Sequence, residues 1–246
     1  MRLTAELIQN SLSYLNPLKE RELDLRGHKI PAIENLGVAG QHDAIDFTDN
    51  DITVLGNFPL SPRIRTLLLA RNRIASIQPT LANAIPYLTT LVLTANNVAE
   101  LADLDGLTQF KFLAHLSLLE NPVIGKEHYR YYVLWRCPSI RFLDFKKVKD
   151  VERKKGDELF GSAAEPSQLA LKIMGIKSRT FEAPSGNGIV AASTGKNYRV
   201  KLTPMERKKV EELIRKAKTL EEIIKLEKEL NEGRIPAGAY DNAMEE

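Results

Sequence analysis

The sequence predicts an α/β solenoid: short parallel strands on a concave face, a cap at either end, and a C-terminal helical hairpin. Two observations carry this reading. Five segments fit the pattern L-x-L-x-x-N-x-L with aliphatic substitutions, namely Leu23–Ile30, Ile45–Ile52, Leu67–Ile74, Leu91–Val98 and Leu116–Val123, and a degenerate sixth spans Ile140–Phe145. Their first apolar positions (23, 45, 67, 91, 116, 143) lie 22, 22, 24, 25 and 27 residues apart. A fixed period of this size marks a repeat architecture and is sought before any other structure.

The period is that of leucine-rich repeats. Each repeat is one short strand plus a return segment, and neither buries its apolar side without a neighbouring coil. Strand side chains alternate faces, so the two aliphatics of L-x-L point into the core. Asn50, Asn72, Asn96 and Asn121 stand at the turn, where a carboxamide satisfies buried backbone groups of adjacent coils. His28 replaces asparagine in the first repeat, as suits an edge coil with a looser ladder.

A solenoid left open at its ends exposes its core, so both ends need covers. Leu3, Leu7 and Ile8 have helical spacing behind Thr4, a good N-cap, and predict an N-terminal cover over residues 4–13. At the other end His128–Arg136 is an aromatic-rich helix halted before Pro138, followed by a last strand at Ile140–Asp144. Its tyrosines and Trp135 are expected to seal the final repeat, burying rings while keeping one polar end wet. These pieces make residues 1–160 the capped repeat domain. Residues 161–202 gather Gly, Ser, Pro and Asn and read as a linker, with an anchoring element at Leu169–Ile176. Thr203-Pro204-Met205-Glu206 starts a helix well, Thr219 with Glu222 starts a second, and the hairpin over 203–232 precedes a disordered tail at 233–246.

The net charge is only +3, from 35 basic and 32 acidic residues. It is unevenly placed. Arg141–Lys155 contains seven basic and three acidic residues, so this stretch carries +4 and the remainder −1. Such a local patch suits phosphate contact, nuclear targeting or a solvated helix face. The outward strand positions tell a second story. They are acidic early (Glu22, Asp24, Asp46) and small or apolar later (Leu68, Val92, Thr94, Ser117, Leu119). A trough of that composition fits an amphipathic helix laid across the strands.

Other chemistry is excluded by its missing parts. One cysteine, Cys137, builds neither a disulfide nor a zinc site and suits a reducing compartment. The four histidines show no ligand spacing, and no Walker loop, dinucleotide glycine motif or nucleophile elbow is present. Neither an enzyme nor a cofactor is expected. No run of about 18 apolar residues occurs, so no membrane span is expected.

Collinear stretches within and between the repeats carry a resemblance as well. Leu23–Gly27, Lys29–Pro31, Ile33–Gly37, Asp43–Phe47, Asn121–Val123, His128–Arg130, Leu143–Phe145 and Lys147–Lys149 resemble, in order, the A-prime family of the spliceosomal U2 small nuclear ribonucleoprotein. The similarity runs from Leu3 to about Phe181 and resumes over Thr203–Pro236. It implies a nuclear, non-enzymatic splicing subunit. Its groove would hold a helix of an RNA-recognition-motif protein of the B-double-prime type, and the pair would bind a stem-loop of the U2 RNA. Carried over by position, Asp24, Asp46, Thr48, Leu68, Val92, Thr94 and Ser117 become partner contacts, with Leu119 beside them. Lys19, Arg21, Arg26 and Lys29 become RNA-contact candidates, and Lys147 and Lys149 weaker ones. Other spliceosomal proteins would meet the C-terminal helices. The competing reading is a regulatory adaptor that uses the same groove on a phosphatase or transport factor.

Overall fold

The computed structural model describes residues 2–162 and 165–178. The expected hairpin over 203–232 and the tail over 233–246 lie outside the described residues. Helix α1 (Ala5–Asn10) opens the chain, with Thr4 Oγ1 accepting the Leu7 N–H at 3.2 Å. It stops short of the expected residue 13 because the chain turns into a strand, β1 (Ser13–Leu15). β1 pairs antiparallel with β2 (Arg21–Asp24), so a hairpin as well as a helix covers the N-terminal end.

The repeats then supply β3 (Ala44–Asp46), β4 (Val54–Leu55), β5 (Thr66–Leu68), β6 (Ser76–Ile77), the one-turn α2 (Leu81–Ala84), β7 (Thr90–Val92) and β8 (His115–Ser117). The C-terminal cover consists of α3 (Tyr129–Arg136), β9 (Phe142–Leu143), β10 (Lys146–Lys147) and α4 (Asp150–Phe160), followed by α5 (Gln168–Met174). Eight strands form one sheet in the order β1-β2-β3-β5-β7-β8-β9-β10. All its inner pairs from β2 to β9 are parallel, and β10 turns back antiparallel. β4 and β6 make a separate parallel pair, which the repeat pattern did not announce.

Strand parity follows the L-x-L reading. Leu25, Phe47, Leu67, Leu69, Leu91, Leu93 and Leu118 are all fully buried. The asparagine ladder closes the turns. Asn72 Oδ1 accepts the Ile52 N–H at 3.1 Å, while Nδ2 donates to the carbonyls of Phe47 and Leu69 at 2.9 and 3.1 Å. Asn50, Asn96 and Asn121 repeat this three-point bond to their own coil and the preceding one.

The ladder ends at the β9–β10 turn, where Asp144 and Phe145 have φ of 53° and 61°. Positive φ at both central residues is the type I′ geometry that reverses a strand tightly. The reversal takes a carbonyl away from the next coil position. Asp144 Oδ1 accepts the Leu118 N–H instead, at 2.8 Å, and Oδ2 accepts from Tyr129 Oη at 2.9 Å.

The aromatic cap is built around Phe160, which is fully buried with ring centroids 5.5 Å from Tyr132 and 5.3 Å from Trp135. Trp135 Nε1 donates to the Gly161 carbonyl at 2.7 Å, keeping its polar end satisfied. Cys137 is packed inside, and burial pushes its thiol up to about 12, so it is neutral at physiological pH. At the anchoring element expected over Leu169–Ile176, α5 buries Ala170 completely, and beyond it Ser178 bonds the Asp103 carboxylate through both its N–H and its hydroxyl.

Three outcomes test this frame. Asn72→Ala leaves the buried Ile52 N–H without its partner and removes one of the two carboxamide donors to each of the Phe47 and Leu69 carbonyls, and should cost about 1–3 kcal/mol in urea unfolding. Cys137 should resist a thiol-specific reagent in the native protein and react at once in denaturant. The third concerns His42, buried with Nε2 3.0 Å from Ser13 Oγ, where it ties β1 to the second repeat. Burial, then the Arg21 cation, holds its imidazole below the ordinary value of 6.5. The unfolded chain therefore binds a proton that the folded chain resists. Stability should be full above about pH 6.5 and decline below it, with a slope of at most about 1.4 kcal/mol per unit. His42→Gln should flatten that slope.

Candidate functional site: the concave groove and the sheet edges

The groove is one face of the parallel sheet, and its rows are set by backbone register. One row reads Asp24, Asp46, Leu68, Val92, Ser117 and the row before it Glu22, Ala44, Thr66, Thr90, His115. Thr48, Thr94 and Leu119 continue the face just beyond the strands, half-buried like Leu68 and Val92. The sequence reading placed Glu22, Asp24, Asp46, Leu68, Val92, Thr94, Ser117 and Leu119 outward, and the parity agrees. Their exposure does not follow from parity alone. Ala44, Asp46, Thr66 and Ser117 are buried, since neighbouring strands only about 4.8 Å apart shield short side chains on this face.

The acidic end of the groove is already hydrogen-bonded. Tyr14 Oη donates to Glu22 at 2.7 Å and Asn16 Nδ2 to its other oxygen at 2.9 Å. Glu20 accepts from Thr66 Oγ1 at 3.1 Å. Arg26 lays its guanidinium on Asp24 at 2.6 and 2.9 Å and reaches Asp46 at 3.6 Å. The Arg26 bonds hold the Asp24 carboxyl below the usual carboxylate range. In the middle of the groove Thr94 Oγ1 and Ser117 Oγ bond each other at 2.9 Å, leaving Leu68 and Val92 as its apolar floor.

The RNA-contact candidates do not form one cluster. Lys19, in the β1–β2 turn, and Arg21 lie where β2 begins. Lys147 pairs with Phe142 at the start of β9, and Lys149 follows as the N-cap of α4. These four therefore share the edge at which the parallel strands begin, but at its two ends, six strand spacings from β2 to β10 or about 29 Å apart. Arg26 and Lys29 come after β2, at the opposite edge, and the Arg26 fork is committed to carboxylates. Within the basic stretch, Arg153 is structural, donating to the Ile140 carbonyl, and Lys155 sits 5.1 Å from the Tyr131 ring centre. No three carboxylate, imidazole or thiol groups come together as a metal site among the described residues.

Sequence reasoning missed one feature of the strand-entry edge. Tyr87 precedes β7 by three residues and Phe112 precedes β8 by three, so their rings meet at 5.4 Å. His115 and Phe142, first in β8 and β9, stack at 5.0 Å and 8°. Equal spacing from the strand start was the available signal, but it becomes legible only once the strand starts are fixed.

Comparison with known proteins agrees with this architecture. A family model described as leucine-rich repeat matches residues 1–174. A U2 small nuclear ribonucleoprotein A′ from Aspergillus fumigatus is 70% identical, covering 98% of this chain and 95% of the relative. The protein of that name from Homo sapiens is 43% identical, covering 100% of this chain and 96% of the relative. A crystal structure of the Drosophila melanogaster SNF/U2A′ complex superposes with a TM-score of 0.66 at 47% identity, covering 70% of this chain and 98% of that one. With its repeats, its caps and nearly its whole length shared with these relatives, the chain belongs to the U2 small nuclear ribonucleoprotein A′ family of non-enzymatic, leucine-rich-repeat spliceosomal subunits.

Proposed function

We propose that the concave groove receives a helix of an RNA-recognition-motif protein of the B-double-prime type. The assembled pair then binds a stem-loop of the U2 RNA in the nucleus. The observation that carries this reading is the row Asp24, Asp46, Leu68, Val92 and Ser117. Five positions on adjacent strands span about 19 Å. At 1.5 Å per residue, that is the length of about 13 residues of helix lying across the strands. Leu68 and Val92 supply the apolar anchor, and the carboxylates of Asp24 and Asp46 receive a basic end of the helix, which competes with Arg26. The complex named in the Drosophila structure supports a protein partner for this family.

The division of labour follows from charge. The free groove offers no basic track and its acidic end would repel phosphate, so the groove takes protein while edge cations such as Lys19 and Arg21 assist with RNA. Leu68→Arg with Val92→Arg should weaken capture of the partner more than 100-fold in calorimetry, about the loss of a central anchor. Thermal unfolding of this variant should stay cooperative, because neither side chain belongs to the buried core. Stem-loop binding should be weak for the chain alone and become selective when the partner is added. Equal selectivity without the partner would overturn the proposal.

A further inference from the structure

We propose that the edge at which the parallel strands begin is a docking strip for single-stranded RNA, separate from the groove. Three residues place cations along it. Arg21, Arg65 and Arg141 occupy equivalent positions in a backbone row that runs 21, 43, 65, 89, 114, 141, linked by hydrogen bonds of 2.8–2.9 Å from each coil to the next. All three are exposed, and no guanidinium among them pairs with a carboxylate within 4 Å among the described residues, although the Asp43 carboxylate accepts the Arg21 backbone N–H at 2.9 Å. The one acid in the row, Asp43, is taken by Arg63 at 2.8 Å.

Aromatic rings occupy the coils between Arg65 and Arg141 and continue beside Arg141. Phe112 is 52% exposed and Tyr87 43%, and they form the tilted pair described above, next to Lys111. Phe142 is 37% exposed, stacked on His115 and flanked by Arg141 and Lys147. The segments 85–90, 109–115 and 139–142 that build this half of the strip contain no acid. Water-exposed rings among unneutralised cations are poorly explained as fold stabilisation. They match the two needs of an extended polyanion with flat bases: backbone charge neutralised by the cations, and bases stacked on the rings. Such contacts tolerate sequence, since every base offers a face. The strip also joins the candidates the fold had separated, with Lys19 and Arg21 at one end and Lys147 and Lys149 at the other.

The choice of RNA as the polyanion rests on the ribonucleoprotein role proposed above, and the test keeps the two apart. The full chain is titrated into a labelled oligouridylate of about 12 nucleotides, within the range one such surface covers. Phe112→Ala should weaken binding about tenfold with the salt dependence unchanged, and Phe112→Trp should restore it. Arg65→Ala with Arg141→Ala should reduce the slope of log affinity against log salt by about 1.4, about 0.7 for each lost phosphate contact. Oligouridylate binding that none of these variants alters would overturn the proposal. So would tighter binding of a blunt RNA duplex, or variants that impair capture of the protein partner and spare the oligonucleotide. The Leu68→Arg, Val92→Arg variant should keep its oligouridylate affinity even if the groove proves to hold no helix, so failure of one reading leaves the other standing.

Discussion

A leucine-rich-repeat coil is too small to satisfy its own turn, and in this protein four carboxamides resolve that problem. Asn50, Asn72, Asn96 and Asn121 each bond their own coil and the coil before it. A side chain with one acceptor and two donor hydrogens suits a site that presents one N–H and two carbonyls. Aspartate would lack the donors, and leucine would strand the N–H and take one of the two donors that a carbonyl shared between successive asparagines receives. Because each asparagine spans two coils, it fixes their spacing as well as their turns. That spacing sets the rows of the concave face, and hence the line of groove residues that a partner helix would meet.

Much of this was legible in the sequence because the repeat constrains it. The L-x-L parity, the asparagine turn and the aromatic cap each follow from a local pattern with a single physical solution. The N-terminal cover was read too long, since helical spacing at Leu3, Leu7 and Ile8 carries no sign that Ser13–Leu15 pairs with β2. The extra β4–β6 pair was missed because two-residue strands leave no alternation to detect. At the groove, parity revealed direction and concealed exposure. Nothing local shows that Asp46 and Ser117 are shielded by neighbours or that Arg26 folds back onto Asp24 and Asp46.

Charge shows the same division between local and assembled information. A net charge of +3 with one basic stretch near the C-terminal cap suggests a patch at one place. The fold redistributes it. Arg153 is drawn into the cap and Lys155 lies against a ring, while Arg21 and Arg65, distant in sequence from that stretch, join Arg141 along one sheet edge. Register, more than composition, decides which charges act together.

The antiparallel strands at both ends of the sheet have a consequence for the molecule's social behaviour. A parallel solenoid with bare ends offers the next copy a template, and head-to-tail addition without closure grows a filament. Here β1 and β10 run against the strands they cover. A copy arriving with the repeat's polarity meets an edge of the wrong direction, with α1 and the α3–α4 cap closing the core behind it. The two hairpins thus remove the parallel template on which a modular architecture would add the next copy in register.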